Sequence, residues 1–106
     1  MVRPVALDLR TVADLLAAPD APRWDLVDGE LVKVVECATF PAAIDFVVAL
    51  AARAEEADHH PDIDIRWRTV RLVLVTHDAG GITELDLALA GAIDALALGL
   101  DPPAPR

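Results

Sequence analysis

The chain has 106 residues, 55% of them hydrophobic and 25% charged, so it is long enough for one packed domain and too short for two. Its 9 Lys and Arg residues against 18 Asp and Glu residues give a formal net charge of -9, which excludes the clustered basic surface that nucleic-acid binding requires. No apolar run approaches the ~20 residues of a membrane-spanning helix, and without Ser or Tyr the chain has no serine nucleophile and no tyrosine acid.

Cysteine usage and the ends of the chain predict its compartment and extent. The lone Cys37 cannot form an internal disulfide, and residues 1–18 contain no apolar segment of signal-peptide length. We therefore expect a cytoplasmic protein. The composition predicts a single domain over residues 1–106, with its core at about 7–100 and a flexible Pro-rich tail at 101–106.

The first third of the chain predicts a short helix followed by a hairpin. Thr11 and Asp14 form a T-x-x-D capping pattern before a short apolar segment, which is typical of a helix start. Asp28-Gly29 separates the β-rich runs 24–27 and 31–35, and such a pair favours a type I′ turn because Gly accepts a positive φ.

A longer helix is predicted from about residue 40 to 57, with Pro41 in its first turn. Apolar residues recur at helical spacing along this segment: Ile44, Val47, Val48 and Ala51. Glu55 follows four residues later in the same register, so we expect its carboxylate on the buried face of the helix.

Two strands and a final helix complete the predicted order. Residues 62–68 alternate between charged and apolar side chains, which is typical of a half-buried strand, and 70–77 supplies a second strand. Gly80-Gly81 then breaks the chain before Thr83, which with Asp86 forms a capping box. The predicted fold is α+β, in the order α-β-β-α-β-β-α, with a four-stranded antiparallel sheet and helices packed on one face.

The final helix predicts self-association. Between residues 83 and 98 almost every side chain is apolar, and the leucines occupy more than one side of the helix. Because one small sheet cannot cover all of them, we expect a homodimer or homotetramer through this helix, with an exposed edge strand of the sheet as the second choice.

Three histidines, His59, His60 and His77, lie at predicted junctions between elements. Functional side chains concentrate at such junctions, and imidazole exchanges protons near neutral pH, so one interpretation is a proton-transfer site. The other is a solvated helix end followed by an exposed strand end, with no function.

Other site chemistries have weaker support. No H-x-H, H-x-x-x-H or paired-Cys spacing favours zinc, and adjacent histidines usually point in different directions. Cys37 ends a strand-like run and is interpreted as a small core residue rather than a nucleophile. Gly80-Gly81 could cradle an anion, but a turn explains this pair equally well.

A larger pattern resembles a known family. It consists of Glu55-x-x-x-His59-His60-Pro61, then Trp67, then Thr76-His77-Asp78-Ala79-Gly80-Gly81-Ile82-Thr83 and Asp86. This pattern is similar to the signature of the pterin-4a-carbinolamine dehydratases, also called dimerisation cofactors of a homeodomain factor. Trp24, Phe40 and Phe46 match further aromatic positions of that family.

The resemblance implies dehydration of a 4a-hydroxytetrahydropterin to the quinonoid dihydropterin, without a metal or organic cofactor. By position it implies that His59, His60 and His77 are catalytic. The same matching makes five residues substrate-binding or supporting: Glu55, Asp86, Pro61, Trp67 and Thr76. Asp86 also has the purely structural interpretation of a capping-box residue.

The chain departs from the family pattern at a few positions, and other functions remain open. Val35 and Cys37 stand where members commonly carry an aromatic-x-aromatic pair, and Ile65 replaces a polar residue. These departures concern the pocket wall and the choice of pterin. The alternatives are a non-enzymatic interaction or assembly protein and a related domain acting on another pterin. Retention of all three histidines favours an enzyme.

Overall fold

The computed structural model describes residues 4–103. These residues form three α-helices and four β-strands. In chain order these are α1 (Leu9–Leu16), β1 (Asp25–Val27), β2 (Glu30–Glu36), α2 (Phe40–Ala57), β3 (Asp62–Arg66), β4 (Thr69–Leu74) and α3 (Glu84–Leu98). A short 3₁₀ turn, His77–Ala79, lies between β4 and α3. The predicted α+β class and element order are confirmed. Of the predicted tail, residues 104–106 lie outside the described residues.

The four strands form one antiparallel sheet in the spatial order β1-β2-β4-β3. Its two faces differ in what covers them. On one face, β2 and β4 contribute core side chains that the helices cover: Leu31, Val35, Val70, Leu72 and Leu74. On the other face Val34 is exposed. The predicted packing of helices on one face is thus confirmed.

The β1–β2 hairpin forms through the turn that the sequence predicts. Asp28 and Gly29 both have positive φ, of 50° and 79°, as a type I′ turn requires. The turn fixes the register, so that Val27 pairs with Glu30 and Leu26 with Leu31. This register directs Leu26 and Leu31 towards the helices.

The start of α1 differs from the prediction. Asp8, not Thr11, is the N-cap, since its carboxylate accepts hydrogen bonds from the backbone N–H groups of Arg10 and Thr11 at 2.8 and 3.2 Å. The helix therefore begins at Leu9, two residues before Thr11. A carboxylate at the N-cap is also favoured by the positive end of the helix dipole.

The buried face of α2 also differs from the predicted one, although the predicted bounds of the helix are confirmed. The side chains that pack into the core are Ala43, Phe46, Leu50 and Ala54, whereas Ile44, Val48 and Ala51 are exposed. Glu55 belongs to the exposed side, with 80% of its side chain accessible, so the prediction of a buried carboxylate there is wrong. Two neighbouring rows of α2 are apolar, and packing selects the row that carries the bulky Phe46 and Leu50.

The β3–β4 hairpin is shorter than predicted at both of its ends. Trp67, expected within a half-buried strand, has φ 54° and forms a two-residue turn with Arg68, and 58% of its surface is exposed. At the other end β4 stops at Leu74, so His77 belongs to the 3₁₀ turn rather than to the strand.

The chain itself covers most of α3. Thr83 and Asp86 form the predicted capping box. Leu89 and Ile93 are buried and Leu87 and Leu96 are half-buried, while Leu85 and Leu98 are exposed. Besides the sheet, α2 packs against this helix. A homodimer or homotetramer through residues 83–98 therefore stays a prediction, with Leu85 and Leu98 as its exposed apolar side chains.

The carboxylate of Asp94 in α3 binds the segment that precedes β1. Asp94 accepts hydrogen bonds from the backbone N–H of Arg23 at 2.6 Å and from the indole Nε1–H of Trp24 at 2.8 Å, and forms an ion pair with Lys33 at 3.1 Å. These contacts explain the polar residue in an otherwise apolar helix. In the described part of the chain, no helix is long and apolar enough to cross a membrane.

Labelling of the Cys37 thiol measures directly how well the core is buried. The side chain is fully buried, and burial, followed by the neighbouring charge of Glu36, raises the pKa of its thiol. Since the reactive thiolate forms only above the raised pKa, we expect a disulfide-exchange reagent at neutral pH to react far more slowly with the folded protein than with the protein in urea. Rapid stoichiometric labelling of the folded protein would contradict this burial.

Candidate active site

The end of α2 directs two adjacent histidines to different environments. Asp58 ends the helix in the left-handed conformation, with φ 48°, and the backbone N–H of His59 still bonds to the carbonyl of Ala54 at 3.1 Å. The chain therefore turns back at this point. The His59 side chain is 10% exposed and points inwards, whereas that of His60 is 58% exposed. The expectation that the two rings point in different directions is confirmed.

The side chain of His59 contacts a fully buried carboxylate, that of Asp86. The Nε2 atom of His59 lies 2.5 Å from Oδ1 of Asp86, in the first turn of α3. The other oxygen, Oδ2, accepts a hydrogen bond from the hydroxyl of Thr76 at 2.7 Å and one from the backbone N–H of Thr83 at 2.9 Å. Asp86 thus joins the end of α2, the end of the sheet and the start of α3.

The proton positions in this network follow from its donors. Thr76 uses its only hydroxyl proton on Asp86, so the hydroxyl of Thr83, 2.7 Å away, must donate to the oxygen of Thr76. Thr83 in turn accepts from the backbone N–H of Leu85. A carboxylate oxygen accepts, so we assign the donor role in the contact between Asp86 and His59 to the Nε2–H of the histidine.

His77 is held beside the same network by its backbone. It directly follows Thr76, whose N–H and C=O bond to the C=O and N–H of Gly81 at 3.0 and 3.3 Å. Gly80 closes the 3₁₀ turn at φ 74°, a conformation that glycine adopts without strain. The Gly80-Gly81 pair is thus a turn, and the His77 side chain is exposed.

His60 has its own carboxylate partner on the surface. Its Nε2 atom lies 2.8 Å from Oε2 of Glu55, in the last turn of α2. Both side chains are mostly exposed, so the contact orients the imidazole with little effect on stability. This contact fits the supporting role that the resemblance implies for Glu55, although the carboxylate is not buried.

The structure gathers most of the predicted site residues at one end of the sheet. The residues found there through direct contacts or chain adjacency are Glu55, His59, His60, Pro61, Thr76, His77 and Asp86. Trp67 is at the other end, because β3 separates it from Pro61 by about 20 Å of extended chain. The buried side chain of Thr76 contacts Asp86.

Sequence reasoning treated Thr83 only as a helix cap. Its hydroxyl also completes the hydrogen-bond chain to Thr76, and no local signal reveals this second contact because Thr76 belongs to a different element. Within residues 4–103, no three His, Cys, Asp or Glu side chains are grouped closely enough to hold a metal ion.

Asp86 should contribute strongly to stability. We expect Asp86→Ala to lower the free energy of unfolding by about 3 kcal/mol, because two buried donors and the ring of His59 lose their acceptor. Glu84→Ala, in the same turn of α3 but exposed, is the matched control and should cost less than about 1 kcal/mol. Equal urea midpoints for the two variants would contradict this role.

Comparison with known proteins places this arrangement in a family. The model of the pterin 4 alpha carbinolamine dehydratase family matches residues 6–96. A Chloroflexus aurantiacus protein provisionally named pterin-4-alpha-carbinolamine dehydratase is 57% identical over 83 residues, covering 78% of this chain and 87% of that protein. A Mycobacterium tuberculosis protein with the same provisional name is 54% identical over 80 residues, covering 76% and 85%.

Two solved structures are similar to this one. A transcriptional coactivator/pterin dehydratase from Brucella melitensis superposes with a TM-score of 0.80 at 30% identity, covering 87% of this chain and 98% of that chain. A pterin dehydratase-like RuBisCO assembly factor of the alpha-carboxysome gives a TM-score of 0.59 at 29% identity, covering 76% and 93%. The family match over residues 6–96 and the identities above 50% confirm the resemblance: this chain belongs to the pterin 4 alpha carbinolamine dehydratase family.

Proposed function

We propose that the protein is a hydro-lyase that converts a 4a-hydroxytetrahydropterin to the quinonoid dihydropterin and water. The observation that carries the proposal is the buried carboxylate of Asp86, which contacts His59 and Thr76, the residues that directly precede His60 and His77 in the chain. We further propose that the domain acts in the cytoplasm, where the product is reduced again to the tetrahydropterin.

The reaction needs an acid and a base that work near neutral pH. The bond between C4a and the hydroxyl oxygen breaks, and the oxygen takes a proton so that it leaves as water rather than as hydroxide. The lone pair of the adjacent ring nitrogen forms the new double bond to C4a, and the proton of that nitrogen passes to a base. Imidazole groups can fill both roles.

The surroundings of the three histidines suit different tasks. With Nε2–H of His59 donating a hydrogen bond to Asp86, Nδ1 is the ring nitrogen left to face a substrate. His60 and His77 have exposed rings, so they can meet a substrate that arrives from solvent. We infer that His60 and His77 contact the pterin while Asp86 and Thr76 fix the orientation of His59.

A binding role is the second candidate, because a structural relative is a RuBisCO assembly factor and another is a transcriptional coactivator/pterin dehydratase. An interaction protein has no chemical need for three histidines at one site. The complete histidine set therefore favours catalysis, and an assay of dehydration separates the two functions.

Substitution of the exposed His60 tests the proposed catalysis with the least disturbance of the fold. We expect His60→Ala to lower the rate of carbinolamine dehydration by ~10²-fold or more, the usual contribution of a positioned acid or base. The fold should be retained, because only the exposed Glu55 loses a partner. A stopped-flow assay with a synthetic carbinolamine measures the rate.

The matched control is Asp78→Ala, which removes an exposed charge from the 3₁₀ turn beside His77 without touching the hydrogen bonds of Asp86. It should leave the rate within about twofold of the wild type. If His60→Ala and His77→Ala both matched this control, the proposed function would be refuted.

The dependence of the rate on pH gives an independent test. Imidazole side chains ordinarily change charge near pH 6.5, so the rate should bend between roughly pH 5.5 and pH 8. A chelator should leave the rate unchanged. A flat profile through that interval, or activity lost with the chelator, would indicate another chemistry.

A further inference from the structure

The threonine that caps α3 makes a second contact that helix capping does not need. The hydroxyl of Thr83 accepts a hydrogen bond from the backbone N–H of Leu85 at 3.2 Å, which is the role of an N-cap. The same hydroxyl lies 2.7 Å from the hydroxyl of Thr76, which directly precedes His77. Thr83 has no exposed surface and Thr76 only 6%, so the two hydroxyls pair with each other rather than with bulk water.

The order of donors gives this contact a direction. Thr76 donates its one hydroxyl proton to Oδ2 of Asp86, because a carboxylate oxygen accepts. Thr83 must then donate to the oxygen of Thr76. The hydrogen bonds therefore run one way, from the N–H of Leu85 through both hydroxyls to the carboxylate, and each bond in such a series polarises the next.

Thr83 holds Asp86 directly as well as through Thr76. The backbone N–H of Thr83 donates to Oδ2 at 2.9 Å, and the hydroxyl of Thr76 donates to the same oxygen at 2.7 Å. Donors on both sides of Oδ2 restrict rotation of the carboxyl group about its bond to Cβ. The other oxygen, Oδ1, which lies 2.5 Å from Nε2 of His59, is fixed with it. The orientation of the His59 ring thus depends on more than its own contact.

The donor role of the Thr83 hydroxyl is the part of this arrangement that capping alone does not explain. Without that hydroxyl, the buried oxygen of Thr76 loses its donor, and rotation of the Thr76 side chain away from Asp86 becomes less costly. The carboxyl group is then held at Oδ2 mainly by one backbone N–H. Its alignment with His59 becomes less exact.

We propose that Thr83 is a positioning residue of the site, which acts through Thr76 and Asp86 on the ring of His59; this inference rests on the proposed function. The hydroxyl of Thr83 bonds to Thr76 and Leu85 and has no exposed surface, so its effect on the reaction is indirect. Proton transfer depends steeply on the alignment of donor and acceptor. Thr83 therefore contributes to the catalytic step more than to binding of the pterin.

Two substitutions remove the hydroxyl and keep the backbone N–H that bonds to Asp86. Thr83→Val keeps the shape of the side chain, and Thr83→Gly keeps a residue that is well tolerated at the N-cap, so loss of the cap does not decide the result. We expect each to lower kcat about tenfold and to change KM by less than about twofold. Thr83→Ser retains the hydroxyl and should keep at least about half of the wild-type kcat.

Thr39 provides a matched control for the loss of a helix cap. It caps α2 as Thr83 caps α3, and its hydroxyl accepts a hydrogen bond from the backbone N–H of Ala42 at 3.1 Å. Thr39 is exposed and lies at the opposite end of α2 from His59. Thr39→Val therefore removes a cap without altering the network, and kcat and KM should stay within about twofold of the wild-type values.

Nitrogen NMR of the His59 ring measures the same effect without the reaction. In Thr83→Val and Thr83→Gly, we expect the signal of the Nε2 proton to move upfield and to exchange faster with water, because its acceptor is held less firmly. The rings of His60 and His77 should keep their signals. Thr83→Ser and Thr39→Val should both give the wild-type signal of His59.

Each outcome has a distinct meaning. A loss of kcat with a shifted His59 signal, both restored by serine, supports the positioning role of Thr83. An active wild-type protein whose Thr83→Gly variant keeps its kcat, or keeps its His59 signal, overturns that role and leaves the proposed function intact. An inactive wild-type protein overturns the proposed function, and the His59 signal still decides whether Thr83 orients the ring.

Discussion

The contact between Asp86 and His59 is the interaction on which the rest of the site depends. A carboxylate with no exposed surface is costly to bury unless its oxygens are hydrogen-bonded, and Asp86 meets this requirement with a histidine, a threonine hydroxyl and a backbone N–H. These donors belong to separate elements of the fold. The carboxylate that caps α3 therefore also fixes the two chain segments that carry the histidines.

Local signals predicted much of the architecture and only part of the site. The bounds of α2, the Asp28-Gly29 turn and the capping box of Thr83 and Asp86 depend on residues within a few positions of one another, and the structure confirms them. The bond from Asp86 to His59 spans 27 positions and depends on how α2 and α3 pack. Helical spacing alone could not predict it, and only the family resemblance placed Asp86 in the site.

The errors have a common physical origin. Where two local solutions are nearly equivalent, tertiary packing selects one of them. The two apolar rows of α2 are an example, since the buried row is the one with Phe46 and Leu50, and the choice leaves Glu55 in solvent. Trp67 fits the alternation of a strand, but the chain turns at this residue and exposes its indole.

Nitrogen NMR of the histidine side chains tests most directly whether Asp86 fixes the orientation of His59. In the wild-type protein at neutral pH, we expect Nε2 of His59 to carry a proton whose signal lies far downfield and exchanges slowly with water, since it is held between two buried groups. In Asp86→Asn this signal should move upfield and exchange faster, while the rings of His60 and His77 keep their signals. A His59 ring without a proton on Nε2, or one whose signal is unchanged in Asp86→Asn, would contradict the account.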